Sequence, residues 1–147
     1  MRSLCLAALA TLACAEVDSP NPVEVLPDDY RTAFVEVRGC RSSSDHDLNN
    51  ILVRVHANLK TIYESGPYPF PQGALVVKEE FRDLQCTDLI AYSVMRKEAA
   101  NAQPANGDWT FLKLDPRRRV IQQNEPRCTS CHAQVACRGR DRVCADP

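Results

Sequence analysis

At 147 residues the chain has the length of one domain, and 44% apolar with 25% charged residues suits a globular protein with a real core. A net charge of −1 excludes an electrostatic case for nucleic acid. The cluster Arg117, Arg118 and Arg119 is too short to make a basic stripe.

The first element in the chain is a leader. Arg2 supplies a positive start, residues 4–13 form an apolar run too short to span a bilayer, and Ala13-Cys14-Ala15 reads as a small-x-small cleavage site. Residues 1–15 are therefore expected to be a signal peptide, with export to the periplasm or an equivalent compartment. An alternative takes Leu12-Ala13-Cys14 as the end of a lipobox and leaves a lipid anchor on Cys14, although Thr11 stands where that pattern prefers leucine. Residues 16–28, with Asp18-Ser19-Pro20-Asn21-Pro22, read as a flexible N-terminal linker, and residues 29–147 as the folded domain.

Residues 30–37 fit helix or strand equally well, and 41–50, with three consecutive serines, read as a loop. Residues 51–58 alternate, with Ile51, Val53, Val55 and Ala57 on one face and Leu52, Arg54, His56 and Asn58 on the other, which predicts a strand. Residues 59–65 suit a short helix ending at Gly66. Pro67, Pro69 and Pro71 then make an extended connection before the turn at Gln72-Gly73. Residues 74–81 are the clearest strand and 89–95 a third, with 97–106 a polar connection. Gly107-Asp108 turns into a fourth strand at 109–114, and Val120-Ile121 suits a short fifth. Four or five short strands at this spacing predict an antiparallel sheet.

Eight cysteines are present, and Cys5 and Cys14 fall in the leader. In an oxidising compartment Cys40, Cys86, Cys137 and Cys144 are expected to form disulfides. Of the three pairings, Cys137–Cys144 is favoured by its short loop and Cys40–Cys86 by elimination.

The remaining pair lies in Cys128-Thr129-Ser130-Cys131-His132, a C-x-x-C-H run that reads as the attachment signature of one covalently bound haem c. Thiols three positions apart share one side of a helical turn and reach the two vinyl groups of one porphyrin, while His132 offers its imidazole to the iron. Pro126 suits the first turn of a helix carrying the motif. Two rivals use the same residues. A zinc site of Cys128, Cys131, Cys137 and Cys144 has the wrong second spacing, and a thioredoxin-like pair lacks a βαβ context. Apart from Met1 the only methionine is Met95, upstream of the motif and beside a strand. An open sixth iron position is thus expected, which disfavours a plain electron carrier.

Several segments together resemble the cytochrome P-460 family, which includes cytochrome c′-beta. In order they are Asp29-Tyr30-Arg31, Val53-Arg54-Val55-His56-Ala57-Asn58, and Gln72-Gly73-Ala74-Leu75-Val76-Val77-Lys78-Glu79. Ala91-Tyr92-Ser93-Val94-Met95-Arg96-Lys97, Gly107-Asp108-Trp109-Thr110-Phe111 and the C-x-x-C-H run follow. The resemblance implies an α+β fold, mainly antiparallel β-sheet with short helices, usually a homodimer, ending in a helix that attaches a five-coordinate haem. Members that oxidise hydroxylamine and pass electrons to a periplasmic electron-transfer protein carry a lysine cross-linked to the porphyrin, at the position of Lys78. Members of the c′-beta type lack the cross-link and bind nitric oxide. The chain departs from the family's D-x-V-F at Asp141-Arg142-Val143-Cys144, where a local disulfide would substitute for aromatic packing behind the haem.

Alternation puts Lys78 on one face with Ala74, Val76 and Glu80, and Leu75, Val77 and Glu79 on the other. Its ordinary reading is a surface lysine beside a glutamate, and its sharper one a haem-facing amine. Glu79, Glu80, His56 and Glu125 are the candidate bases for hydroxylamine oxidation. Phe34, Phe81 and Phe111 are the aromatics that could pack on the porphyrin, and Trp109 reads as structural.

Overall fold

A computed structural model describes residues 25–43 and 51–144. The expected signal peptide, the anchor at Cys14 and most of the linker lie outside the described residues.

A six-stranded antiparallel sheet forms the body, in the order of the chain: β1 (Val35–Ser42), β2 (Leu52–Ala57), β3 (Leu75–Phe81), β4 (Leu89–Lys97), β5 (Trp109–Leu114) and β6 (Val120–Gln123). Alternating residues project to opposite faces. Both faces of this sheet are covered, which is why β3 and β5 are almost continuously buried. On one face α1 (Tyr30–Ala33) packs with Leu26 and Tyr30 against Val77, Tyr92, Val94, Leu112 and Leu114. Leu26, in the segment read as linker, is thus part of a core. On the other face α2 (Lys60–Ser65) contributes Tyr63, and Phe70 and Val143 join Val55, Val76, Met95, Trp109 and Phe111. That second face also carries α3 (Pro126–His132), followed by α4 (Val135–Arg138).

The expected strands at 51–58, 74–81, 89–95 and 109–114 are all present, as is the short fifth at Val120. The sixth is β1, which extends into residues read as loop. It is an exposed edge strand whose pairing with β2 slips twice, between Glu36 and Arg38 and between Arg38 and Arg41. Such bulges erase the two-residue period that marks a strand in sequence. Cys40 on this strand is disulfide-bonded to Cys86, as expected by elimination, and Cys137 to Cys144, as their short loop predicts.

Candidate functional site

Helix α3 starts at Pro126, whose fixed φ and missing N–H suit a first helical position. One turn separates Cys128 from Cys131, and His132 follows directly. Among the described residues these are the two free cysteines, Cys128 exposed and Cys131 half-buried. Burial pushes the Cys128 thiol up, and the Glu125 carboxylate adds to it against the opposing Lys113. The Cys137–Cys144 disulfide removes two of the four ligands a zinc site would need.

His132 is nearly buried, with the ring of Phe111 4.9 Å away, centroid to centroid. Its Nδ1 lies 2.7 Å from the carbonyl oxygen of Arg142. A carbonyl only accepts, so this contact fixes the proton on Nδ1 and puts the ring's lone pair on Nε2, the tautomer that metal ligation through Nε2 requires. Cys144 Sγ stands 3.5 Å from the same nitrogen.

Beside the imidazole and Cys128 opens an apolar cleft whose walls include Phe111, Ser93, Lys113, Gln122 and Glu125. Glu80 is buried behind it. Ser93 Oγ donates to its Oε1 at 2.6 Å, and Lys113 Nζ pairs with its Oε2. Lys78 is half-buried on the same face, in register with Ser93, but the lysine on the cleft wall is Lys113. Of the other candidates, Glu125 lies at the cleft and Glu80 behind its wall, whereas Glu79 and His56 lie on the opposite face. There Glu79 takes hydrogen bonds from Tyr30 and from Arg31 Nε at 2.6 Å, and His56 Nε2 is 3.6 Å from its carboxylate. Phe34 and Phe81 also pack away from α3, so Phe111 is the aromatic that reaches the histidine.

Sequence reasoning missed what holds His132 from behind. Asp141 Oδ2 accepts the Phe70 N–H at 2.9 Å and the Lys97 ammonium at 2.6 Å, and its carbonyl accepts the Trp109 indole N–H at 2.7 Å. Lys97 Nζ also donates to the Gly107 carbonyl at 2.8 Å. Gly107 has φ +63°, and a Cβ there would lie 2.8 Å from the Arg142 guanidinium, so only glycine fits against that side chain. The Gly107-Asp108-Trp109 corner is thus built around the 141–144 segment. A lysine continuing the alternation of Ser93 and Met95 onto the same face was the signal available in sequence.

The two unclaimed thiols, the oriented imidazole and the adjoining cleft fit a haem, and the sheet carrying them is that of a small β-rich cytochrome. Residues 27–143 match the family model described as Cytochrome P460, and the chain belongs to that family. Membership implies a haem-binding cytochrome. Comparison with curated proteins returns no match.

Proposed function

We propose that this chain is an exported c-type haem protein that binds small nitrogen ligands, with one haem c attached through Cys128 and Cys131 and ligated by His132. The observation that carries the reading is His132 itself: a buried imidazole, oriented by a carbonyl at 2.7 Å, near the free thiols of Cys128 and Cys131, of which Cys128 lines the adjoining cleft. Each thiol adds across one vinyl group, sulfur to one carbon and hydrogen to the other, so nothing leaves. Held by Cys128, Cys131 and His132, a haem would supply a redox-active iron able to take a small ligand. The chain's own residues exclude water with Phe111, fix the tautomer with the Arg142 carbonyl, and keep a carboxylate, Glu80, behind the cleft wall.

Glu80 favours hydroxylamine as the ligand oxidised. Each electron withdrawn from hydroxylamine is accompanied by a proton, and a carboxylate held by Ser93 and Lys113 is a group that can take one. The electrons pass to a periplasmic electron-transfer partner. Lys78 is the amine assigned to a haem cross-link. The alternative is non-enzymatic nitric oxide binding, favoured by the position of Lys78 beside Ser93 rather than on the cleft wall. A homodimer, and a lipid anchor if Cys14 is processed, complete the proposal on the family resemblance.

Intact mass and optical spectra of the mature holoprotein test it. One haem should remain after denaturation and be lost in Cys128→Ala/Cys131→Ala; haem removable by acid extraction defeats covalent attachment. A red-shifted ferrous Soret band that reverts in Lys78→Ala, with hydroxylamine turnover lost, supports the oxidase. An ordinary five-coordinate spectrum with nitric oxide binding and no turnover selects the alternative.

A further inference from the structure

The Arg142 carbonyl that orients His132 sits in a four-residue strap tied at both ends. At its start, Asp141 is fastened to the sheet through Phe70, Lys97 and Trp109. At its finish, Cys144 is bonded to Cys137 on α4. Between them Val143 is buried, and the Arg142 N–H donates to the Cys137 carbonyl at 2.8 Å.

Asp141 and Arg142 both adopt positive φ, 52° and 68°, a region that residues with a Cβ enter only when their surroundings hold them there. A peptide in that state relaxes when one tether is cut, and the carbonyl between the tethers turns with it. The sheet-side tether fixes where the strap begins. The Arg142 carbonyl lies one residue further on, in a peptide whose Val143 N–H donates to the Arg140 carbonyl at 3.0 Å and whose far end is held by the disulfide.

We propose that the Cys137–Cys144 disulfide is a positioning element for the axial ligand: it aims the Arg142 carbonyl at His132 Nδ1 and so sets how strongly the imidazole donates to iron. This rests on the reading of His132 as that ligand. An acceptor on Nδ1–H gives the ring partial imidazolate character, which raises its basicity toward the metal and favours the oxidised state. Opening the disulfide should weaken the iron–histidine bond and raise the haem midpoint potential, even with the sheet intact. The cystine sulfur 3.5 Å from Nδ1 also fills the space that a water would need to replace the carbonyl.

The test compares the iron–histidine stretching band of the ferrous holoprotein in the wild type, in Cys137→Ser/Cys144→Ser and in Cys40→Ser/Cys86→Ser. Wild-type holoprotein is also measured after a phosphine has opened its disulfides, with thiols counted, so that failure of a variant to mature does not end the experiment. The expected result is a shift to lower frequency and a higher midpoint potential with the 137–144 bond open, by either route, and no shift in the Cys40/Cys86 variant. An unchanged band with the bond open overturns the proposal, as does an equal shift in the Cys40/Cys86 variant, which would mark general loosening. Absence of an iron–histidine band from the wild type, or its survival in His132→Gly, defeats the haem-ligand reading instead.

Discussion

The sheet carries a buried histidine on each face, and their surroundings differ in kind. His56 lies among charges: Glu79 at 3.6 Å, with Arg31 and Arg54 paired to the same carboxylate and the Tyr30 ring edge-on at 5.6 Å. Among the described residues its ring nitrogens make no hydrogen bond of ordinary length, and its link to Glu79 is the longer 3.6 Å charge contact. His132 instead has one nitrogen tied to a carbonyl and an aromatic ring alongside, with Lys113 and Glu125 on the wall of the adjoining cleft. An imidazole used as a metal ligand must keep a lone pair on one nitrogen, and an acceptor at the other fixes which nitrogen that is. The Glu79 face, the ionic face, gathers its charges around the histidine itself, whereas on the His132 face the Lys97–Asp141 pair stands behind the segment that holds the ring.

Three perturbations sharpen this contrast. The largest effect is expected on the His132 face. Lys97 and Asp141 form a nearly buried ion pair, and Lys97→Met removes the charge while keeping the stem. Breaking such a pair leaves an uncompensated carboxylate, and the expected loss is about 3–5 kcal/mol in urea unfolding, partly recovered by adding Asp141→Asn. A loss below about 1 kcal/mol, the scale of an exposed pair, would show that the strap is held by something else.

On the ionic face the effect is smaller and depends on pH. Burial opposes ionisation of Glu79, but the His56 ring, the Tyr30 hydroxyl and the Arg31 guanidinium outweigh it and hold the carboxyl at about 2, below its ordinary 4.5. A depressed folded-state value contributes stability above the ordinary carboxylate range that is lost as pH falls toward about 2. Wild type should therefore lose on the order of 2 kcal/mol over that interval that Glu79→Gln does not. Parallel urea-midpoint curves for the two proteins would remove Glu79 as the acid-sensitive group. The smallest effect belongs to neither face. Lys60 and Glu64 form an exposed i,i+4 pair at 3.9 Å on α2, and Glu64→Ala should cost no more than about 0.5 kcal/mol by thermal melting.

The same contrast governs what the sequence disclosed. Strands β2, β3 and β5 announce themselves by alternation because each keeps an unbroken register with at least one neighbour, β2 with β3 and β5 with β4. β1 hides because it is a bulged edge with charged side chains. The thiols and histidine of the site are legible because haem attachment demands a fixed local spacing. Glu79 and Phe81 could have been removed from the haem-side candidates by the alternation that places them opposite Lys78. The strap was illegible because its contacts span long intervals: Asp141 meets Phe70, Lys97 and Trp109, and no local pattern records those meetings. Lys97, read as part of a polar connection, is buried as the last residue of β4.

Each strand of the sheet pairs with the one before it in the chain, from β1 through β6. A meander of this kind closes by neighbouring steps, each with a short entropic search, so its assembly does not wait for remote partners. The segment bearing both thiols, the histidine and the strap comes after all six strands. The sheet can thus be complete while the corner with Cys128, Cys131 and His132 is still arriving, and that corner docks on a finished surface rather than nucleating the fold.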